Sequence, residues 1–136
     1  MINYFSEDVD FEISESEIKS SWLTKVIENE GYNLSELNYI FCSDEYLHKI
    51  NLEYLEHDTY TDIITFDNSE EEGLIEGDIF ISVERVKENA IAFNTSFENE
   101  LKRVLVHGVL HLCGYLDKSD EDELLMRSLE NKYISI

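Results

Sequence analysis

The segment VLVHGVLHLCGYLD, residues 104–117, carries the strongest helical pattern in the chain. Its apolar residues cover most of a helix surface, which predicts a helix from Phe97 to about Cys113 that is buried on several sides. Gly114 follows, and glycine readily adopts the left-handed conformation that ends a helix. The segment therefore predicts a buried helix after which the chain turns back.

Two histidines and an aspartate in this segment are spaced as ligands of one metal ion. His107 and His111 are four residues apart and lie on the same helical face about one turn apart. This spacing suits two imidazole ligands of a tetrahedral ion, and Asp117 follows the turn, within reach as a third ligand. Three protein ligands leave a fourth position for water, whose pKa a divalent ion lowers. We expect a catalytic zinc site at the helix end, although this donor set also suits Fe(II).

A structural role for the two histidines is the alternative. The helix is apolar enough for His107 and His111 to be core side chains bonded to backbone or carboxylate groups. A zinc peptidase is not indicated, because zincins carry glutamate directly after the first histidine, where Gly108 stands here. Gly108 also suits close packing of the helix against a sheet. Asp62 and Asp78 interrupt predicted strands, and either one could orient a histidine ligand or cap a strand end.

The remaining periodicity predicts one α+β (mixed α/β) domain over residues 1–136. Strands are predicted at 2–6, at 9–13 from alternating apolar residues, and at 36–43, 61–67 and 77–84, the last two forming a hairpin. Helices are predicted at 14–29, with Ser14 and Glu17 as a capping box, and at 43–55, 82–94, 97–113 and 121–133. The inward residues predicted for the first three helices are Ile18, Trp22, Val26 and Ile27, then Leu47, Ile50 and Leu55, then Val83, Val86, Ala90 and Phe93.

Charge and composition narrow the classes of function. The 136 residues carry a formal net charge of −21, from 31 acidic and 10 basic residues. Such a surface repels phosphate backbones at long range, which disfavours general nucleic-acid binding but not a local basic groove. We expect no membrane span and no secretory signal, and therefore a cytoplasmic protein. Cys42 and Cys113 lie in apolar segments and are expected to be buried free thiols.

The histidine segment and three further motifs resemble the YbeY family of bacterial metal-dependent endoribonucleases. Residues 107–117, HGVLHLCGYLD, are similar to the family pattern His-Gly-x-Leu-His-Leu-x-Gly-Tyr-Asp-His. The other similar motifs, spread in the right order over roughly residues 35–131, are Asn51–Tyr54 with Asp58 and Thr61–Phe66, then Gly77-Asp78-Ile79, then Met126 and Glu130.

This resemblance implies a fold, a metal and a substrate. The fold would be a mixed four-stranded sheet with several helices, and one zinc ion would be held by three side chains in a cleft. The activity would be cleavage of single-stranded RNA in ribosomal RNA maturation, notably at the 3′ end of the small-subunit RNA, and in ribosome quality control. The implied partner is ribosomal RNA or a ribosomal particle, with a ribosomal protein as one bridge for so acidic a chain, and no nucleotide cofactor is expected.

Two positions depart from the family pattern. Asp117 stands where the family has a third metal-binding histidine, so a bound ion would keep less net positive charge and weaker Lewis acidity. Leu55 stands where the family has an arginine, the natural partner of a scissile phosphate. The candidate replacements, each also an ordinary surface or structural residue type, are His57, Lys102, Arg103 and Lys118.

The hypothesis that unites these features is metal-dependent hydrolysis of RNA. Activated water or a neighbouring 2′-OH would attack phosphorus, with Thr61–Phe66 as one wall of the cleft and Tyr115 as another wall or part of the core. The net charge favours a rival hydrolase with a non-nucleic substrate. The missing arginine favours a ribosome-assembly factor with weak or no catalysis.

Overall fold

The computed structural model describes residues 1–57 and 59–136, which form a four-stranded sheet and five α-helices. The spatial order of the strands is β1-β2-β4-β3; β2 pairs in parallel with β1 and β4, and β3 pairs antiparallel with β4. The mixed sheet and the predicted hairpin are thus confirmed, while Asp58 of the family likeness lies outside the described residues. The strands are β1 (Ile2–Ser6), β2 (Asn33–Cys42), β3 (Ile63–Asp67) and β4 (Leu74–Ser82).

The helices follow the predicted positions to within a few residues at each end. They are α1 (Ser16–Asn29), α2 (Asp44–Leu55), α3 (Val83–Ala92), α4 (Phe97–Leu112) and α5 (Asp120–Ile134). Each of the last four begins at a serine whose hydroxyl accepts a hydrogen bond from a first-turn backbone N–H, which satisfies a donor that the helix leaves unpaired. None of the described helices is long and apolar enough to cross a membrane.

Helix α4 packs closely across the sheet at Gly108. A Cβ atom there would lie 2.8 Å from Cδ1 of Ile79 and 3.1 Å from Cδ1 of Ile63. The closest of these separations is below ordinary van der Waals contact, so the packing role expected of this glycine is confirmed. The close approach sets His107, the preceding residue, beside strand β3.

The predicted strand at residues 9–13 is wrong. The segment is irregular, and its apolar side chains pack on the core from a loop. The ring of Phe11 lies 4.8 Å from that of Phe41 and 5.9 Å from that of Phe97, centroid to centroid. An extended loop with one buried side produces the same alternation as a strand, which explains the error.

The predicted capping box of Ser14 and Glu17 is also wrong. Glu15, at φ 50°, is the N-cap of α1, and no side chain caps the helix. The Ser14 hydroxyl instead donates to the carboxylate of Glu98 at 3.1 Å, and its carbonyl accepts from the Lys19 ammonium at 2.6 Å. Lys19 also pairs with Glu98 at 3.0 Å, so contacts with α4 replace the local cap.

Three residues predicted to point inward are exposed. Ile18, Leu55 and Phe93 have exposed fractions of 65%, 40% and 60%. Leu55 ends α2 and Phe93 follows the last residue of α3, so both stand where the chain leaves the core. In α1 the buried position falls to Leu23 rather than to Ile18.

The cysteines Cys42 and Cys113 are free and buried, as the sequence predicts. Burial raises the pKa of each thiol to about 12. The thiolate is the reactive form, so at pH 8 both should react on the order of 1,000-fold more slowly with an aromatic disulfide reagent than an ordinary cysteine. The rate should rise with pH and reach the ordinary value in urea. Rapid modification of two thiols in the folded protein would contradict this expectation.

Candidate metal centre

The end of α4 and the turn after it bring the sequence-predicted ligands together. Gly114 has a φ of 100°, a left-handed conformation that glycine adopts without strain. The N–H groups of Gly114 and Tyr115 donate to the carbonyls of His111 at 3.0 Å and Leu110 at 3.1 Å. These bonds close the helix and reverse the chain, so that Asp117 returns beside the last helical turns.

The side chains of His107, His111 and Asp117 converge on one point. The two imidazole centroids are 4.7 Å apart, and Nε2 of each ring lies 3.3 Å from Oδ2 of Asp117. One ligand atom from each of the three residues lies within 4.8 Å of the other two. Within residues 1–57 and 59–136, no other group of three histidine, cysteine or acidic side chains converges in this way.

The two nitrogen–oxygen distances match those around a tetrahedral divalent ion. Zinc bonds of about 2.0–2.1 Å at tetrahedral angles place two ligand atoms about 3.3 Å apart. Both Nε2–Oδ2 distances have that value. The side chains of His107 and His111 are 19% and 23% exposed and that of Asp117 is 41% exposed, so a fourth position on the ion would face solvent. Two imidazoles and one carboxylate suit zinc or Fe(II).

Glu130 on α5 holds the ring of His107 from behind. Nδ1 of His107 donates to Oε2 of Glu130 at 2.6 Å, and Arg103 donates to Oε1 at 3.0 Å. Arg103 also donates to Oδ1 of Asn131 at 2.9 Å, which fixes its guanidinium. The Glu130 side chain is 6% exposed. Because a carboxylate only accepts, Nδ1 carries a proton, and in the neutral ring the lone pair is then on Nε2, the nitrogen nearer Asp117.

The pKa shifts at the candidate metal centre follow from burial and from the surrounding carboxylates. Burial disfavours the imidazolium form of His107, but the hydrogen bond and negative charge of Glu130 outweigh it, and the pKa of His107 is raised. Burial raises the pKa of Asp62, against the opposing attraction of His107. The carboxylates of Glu130, Asp62 and Asp117 therefore favour a positive charge at this point, whether it is the second proton of His107 or a bound metal ion.

The partner of His107 is not one of the two aspartates suggested by the sequence. Asp78 lies on the sheet, where it accepts from Asn38 at 3.0 Å and from Asn68 at 3.2 Å. Asp62 lies beside the site, but the hydrogen bond to His107 comes from Glu130. One feature of the sequence does indicate that Glu130 is buried. Glu130 falls on the buried stripe of α5, with Met126 and Tyr133.

Two clefts meet at the candidate metal centre and share Asp62, His107 and Asp117. The smaller has a volume of about 380 Å³ and the larger about 630 Å³. The predicted wall of Thr61–Phe66 is present in part, because Phe66 instead packs edge-on against Phe80 on the far side of the sheet. The remaining side chains of the smaller cleft are Asn51, Leu55, His57, Thr59, Thr61, Ile63, Ile64, Thr65 and His111.

The four basic candidates for a phosphate contact lie in different places. His57 lines the smaller cleft together with Leu55, which stands where the resemblance to the family implies an arginine. Arg103 lines the larger cleft, but its guanidinium is bonded to Glu130 and Asn131. Lys102 and Lys118 line neither of these two clefts. His57 is therefore the candidate best placed to meet a substrate at the metal centre.

Hydrogen bonds from tyrosine hydroxyls stabilise the turn that carries Asp117. Tyr115 donates to Glu30 at 2.6 Å, and this hydrogen bond raises the pKa of Tyr115 to about 12. Tyr133 donates to the same carboxylate, and Tyr32 donates to the carbonyl of Cys113 at 2.7 Å. Tyr115 is thus a structural support of the turn.

The class of protein defined by this fold and these side chains is a small α+β protein with a candidate one-metal centre in an open cleft.

Comparison with known sequences gives the family. The family described as endoribonuclease YbeY matches residues 2–136. This chain belongs to the YbeY family of endoribonucleases, hydrolases that act on RNA, and the likeness seen in the sequence is confirmed.

Several relatives and one solved structure are similar over nearly the whole chain. Endoribonuclease YbeY of Flavobacterium johnsoniae is 57% identical over 136 residues, covering 100% of this chain and 96% of the relative. That of Christiangramia forsetii is 54% identical over 135 residues, covering 99% and 93%. A solution structure of a Thermotoga maritima protein matches with a TM-score of 0.68 and 30% identity, covering 99% of this chain and 87% of that one.

Proposed function

We propose that this chain is a metal-dependent endoribonuclease that cuts single-stranded RNA during ribosomal RNA maturation, including the 3′ end of the small-subunit RNA, and in ribosome quality control. Residues 1–136 act as one metallohydrolase domain. The observation that carries the proposal is the meeting of two Nε2 atoms with one carboxylate oxygen, each at 3.3 Å, in a chain of the YbeY family. The ligands would be His107, His111 and Asp117, with zinc as the first choice and Fe(II) as the alternative.

Two of the protein's own residues prepare this site for a metal ion. A divalent ion, when bound, supplies Lewis acidity toward a phosphate oxygen and acidifies a water molecule. Glu130 fixes the tautomer of neutral His107, so that Nε2 is the nitrogen available to the ion. Asp117 adds a negative charge that a third histidine would not add. We therefore infer a less acidic water than a three-histidine site would give.

His57 is the proposed phosphate contact. It lines the same cleft as His107 and His111, on the side where Leu55 replaces the family arginine. His57→Ala is expected to lower kcat/KM for single-stranded RNA roughly tenfold, the value of one charge-assisted hydrogen bond. The measurement is initial-rate cleavage of a labelled oligonucleotide. Lys118→Ala is the matched control, because Lys118 lines neither cleft.

The substitution Leu55→Arg tests the same cleft by an expected gain of activity. Leu55→Arg places a guanidinium among the residues that line the smaller cleft, and Leu55 is 40% exposed, so the larger side chain has room. We expect a rise in kcat/KM that shrinks with added salt, because a guanidinium–phosphate pair is screened by ions. An unchanged rate in both His57→Ala and Leu55→Arg would show that the scissile phosphate does not contact the smaller cleft.

The proposed function is tested by metal content and cleavage together. Elemental analysis of the purified protein should find one divalent ion per chain. The loaded protein should cut a single-stranded RNA oligonucleotide, leave a matched duplex intact and stop when a chelator is added, whereas Asp117→Ala should not cut. Bound metal without cleavage would instead indicate an assembly factor, a reading that the naming of the relatives does not favour.

The partner and location follow from the substrate class. A chain with a net charge of −21 does not approach a phosphate backbone by long-range attraction. A ribosomal protein, which supplies basic surface, would bring this chain to RNA within a ribosomal particle. The place of action is then the cytoplasm, and the proposed cleavage needs no nucleotide cofactor.

A further inference from the structure

The larger cleft contains an exposed aromatic side chain paired with a guanidinium. Phe93 is 60% exposed, and the guanidinium carbon of Arg127 lies over its ring, 6.0 Å from the centroid. Both residues line the cleft that also contains His107 and Asp117. The cleft therefore offers an accessible aromatic face and a guanidinium beside the candidate metal centre.

The position of Phe93 is set by the backbone at the end of α3. Its N–H donates to the carbonyl of Asn89 at 2.9 Å, and the N–H of Thr95 donates to the carbonyl of Ala90 at 2.9 Å. Asn94, the next residue, has a φ of 54° and turns the chain away from the helix axis. The ring is therefore presented to the cleft by an ordered helix end.

The charge of the cleft selects the part of an RNA strand that fits. Arg103 is already bonded to Glu130, which leaves Arg127 as the guanidinium beside the ring. So acidic a lining repels a phosphate, whereas an uncharged nucleobase is not repelled and its amino groups donate to carboxylates. The charged residues of the lining are two arginines, Arg103 and Arg127, and six acidic residues, Asp62, Glu100, Asp117, Asp120, Glu123 and Glu130.

We propose that Phe93 and Arg127 form a stacking subsite for one nucleobase of the RNA strand, beside the metal centre. The inference rests on the proposed function, because it assumes that single-stranded RNA is the substrate. A base stacks on an aromatic ring at about 3.4 Å, the step between stacked nucleotides. The Phe93 ring is 60% exposed, and the Arg127 guanidinium, whose carbon lies 6.0 Å from the ring centroid, is on an exposed side chain that can move to contact the base. The scissile phosphate then lies toward the smaller cleft and its neighbouring base in the larger one.

The test is RNA binding by fluorescence anisotropy, with a chelator present so that the strand stays intact. Phe93→Ala is expected to weaken binding of a single-stranded oligonucleotide about tenfold, within the range measured for one base stacked on an aromatic ring. Phe93→Trp should retain binding, and its added fluorescence should be quenched by RNA. Ile91→Ala is the matched control, because Ile91 is 81% exposed and does not line the cleft.

Abasic nucleotides identify the base. When an abasic site is moved along the oligonucleotide, the wild type should lose about tenfold in affinity at one position, and Phe93→Ala should be indifferent there. Equal binding by Phe93→Ala and the wild type, or the same abasic penalty in both, would overturn the subsite while leaving the proposed function intact. A wild type that neither binds nor cuts single-stranded RNA would overturn both.

Discussion

Replacing His111 with alanine is expected to remove the bound metal and to lower RNA cleavage at least about 1,000-fold, a loss of about 4 kcal/mol in transition-state stabilisation. His111 supplies one of the two nitrogen atoms that lie 3.3 Å from Asp117, and a two-ligand remainder should not retain a divalent ion. Elemental analysis and single-turnover cleavage measure the two effects. His48→Ala is the matched control, since His48 stacks on Tyr60 at 4.2 Å and is not among the converging ligands.

Two substitutions of Asp117, the third candidate ligand, extend the same experiment. Asp117→Ala should lose metal as His111→Ala does, whereas Asp117→His, which restores the family residue, should retain it. A third imidazole would leave the ion more positive, so cleavage by Asp117→His should reach its plateau at lower pH than cleavage by the wild type. Full metal occupancy in both His111→Ala and Asp117→Ala would show that the ion, and with it the chemistry, lies elsewhere.

Glu130→Gln is expected to weaken metal binding 10- to 100-fold, the range found when an outer partner of a ligating histidine is removed. The substitution removes the negative charge that holds Nδ1 of His107 protonated, and it removes the shorter of two carboxylate contacts of Arg103, the other being Glu100 at 4.0 Å. Affinity is measured by competition with a chromophoric chelator. The ¹⁵N shifts of His107 in the metal-free protein report the tautomer directly, which a purely structural role would not change.

A matched control separates positioning from loss of fold. Glu121→Gln removes the same charge from an exposed position on the same helix and should leave metal affinity unchanged. Because Glu130 is buried, the free energy of unfolding of Glu130→Gln must be measured beside its affinity. Unaltered affinity and an unaltered His107 tautomer in a folded Glu130→Gln protein would exclude the positioning role.

The sequence predicted the convergence of the three candidate ligands more readily than the residues that support them. His107, His111 and Asp117 lie within one helix end and its turn, so helical spacing and one glycine suffice to bring them together. Glu130 reaches His107 from another helix, 23 residues away, and no local pattern specifies how α4 and α5 pack. The same limit applies to Arg103, whose engagement with Glu130 is invisible in the sequence.

The fold shows a similar division. Helix α4 and the β3–β4 hairpin were predicted because burial imposes strong periodicity on them. Residues 9–13 were misassigned because a loop with one buried side has the same alternation, and the exposed positions of Leu55 and Phe93 follow from where their helices end. Those two side chains line the clefts, whereas Ile18, the third residue wrongly assigned to the core, lines neither.

The location of Asp117 outside any helix or strand has a consequence for substitutions at this position. Its side chain is 41% exposed and stands on a turn held by its neighbours, through Gly114 and the hydroxyl of Tyr115. An exchange of aspartate and histidine there alters the charge of the centre without disturbing the packed interior. Under the proposed function, a single substitution at this position would change the reactivity of the metal centre with little effect on folding.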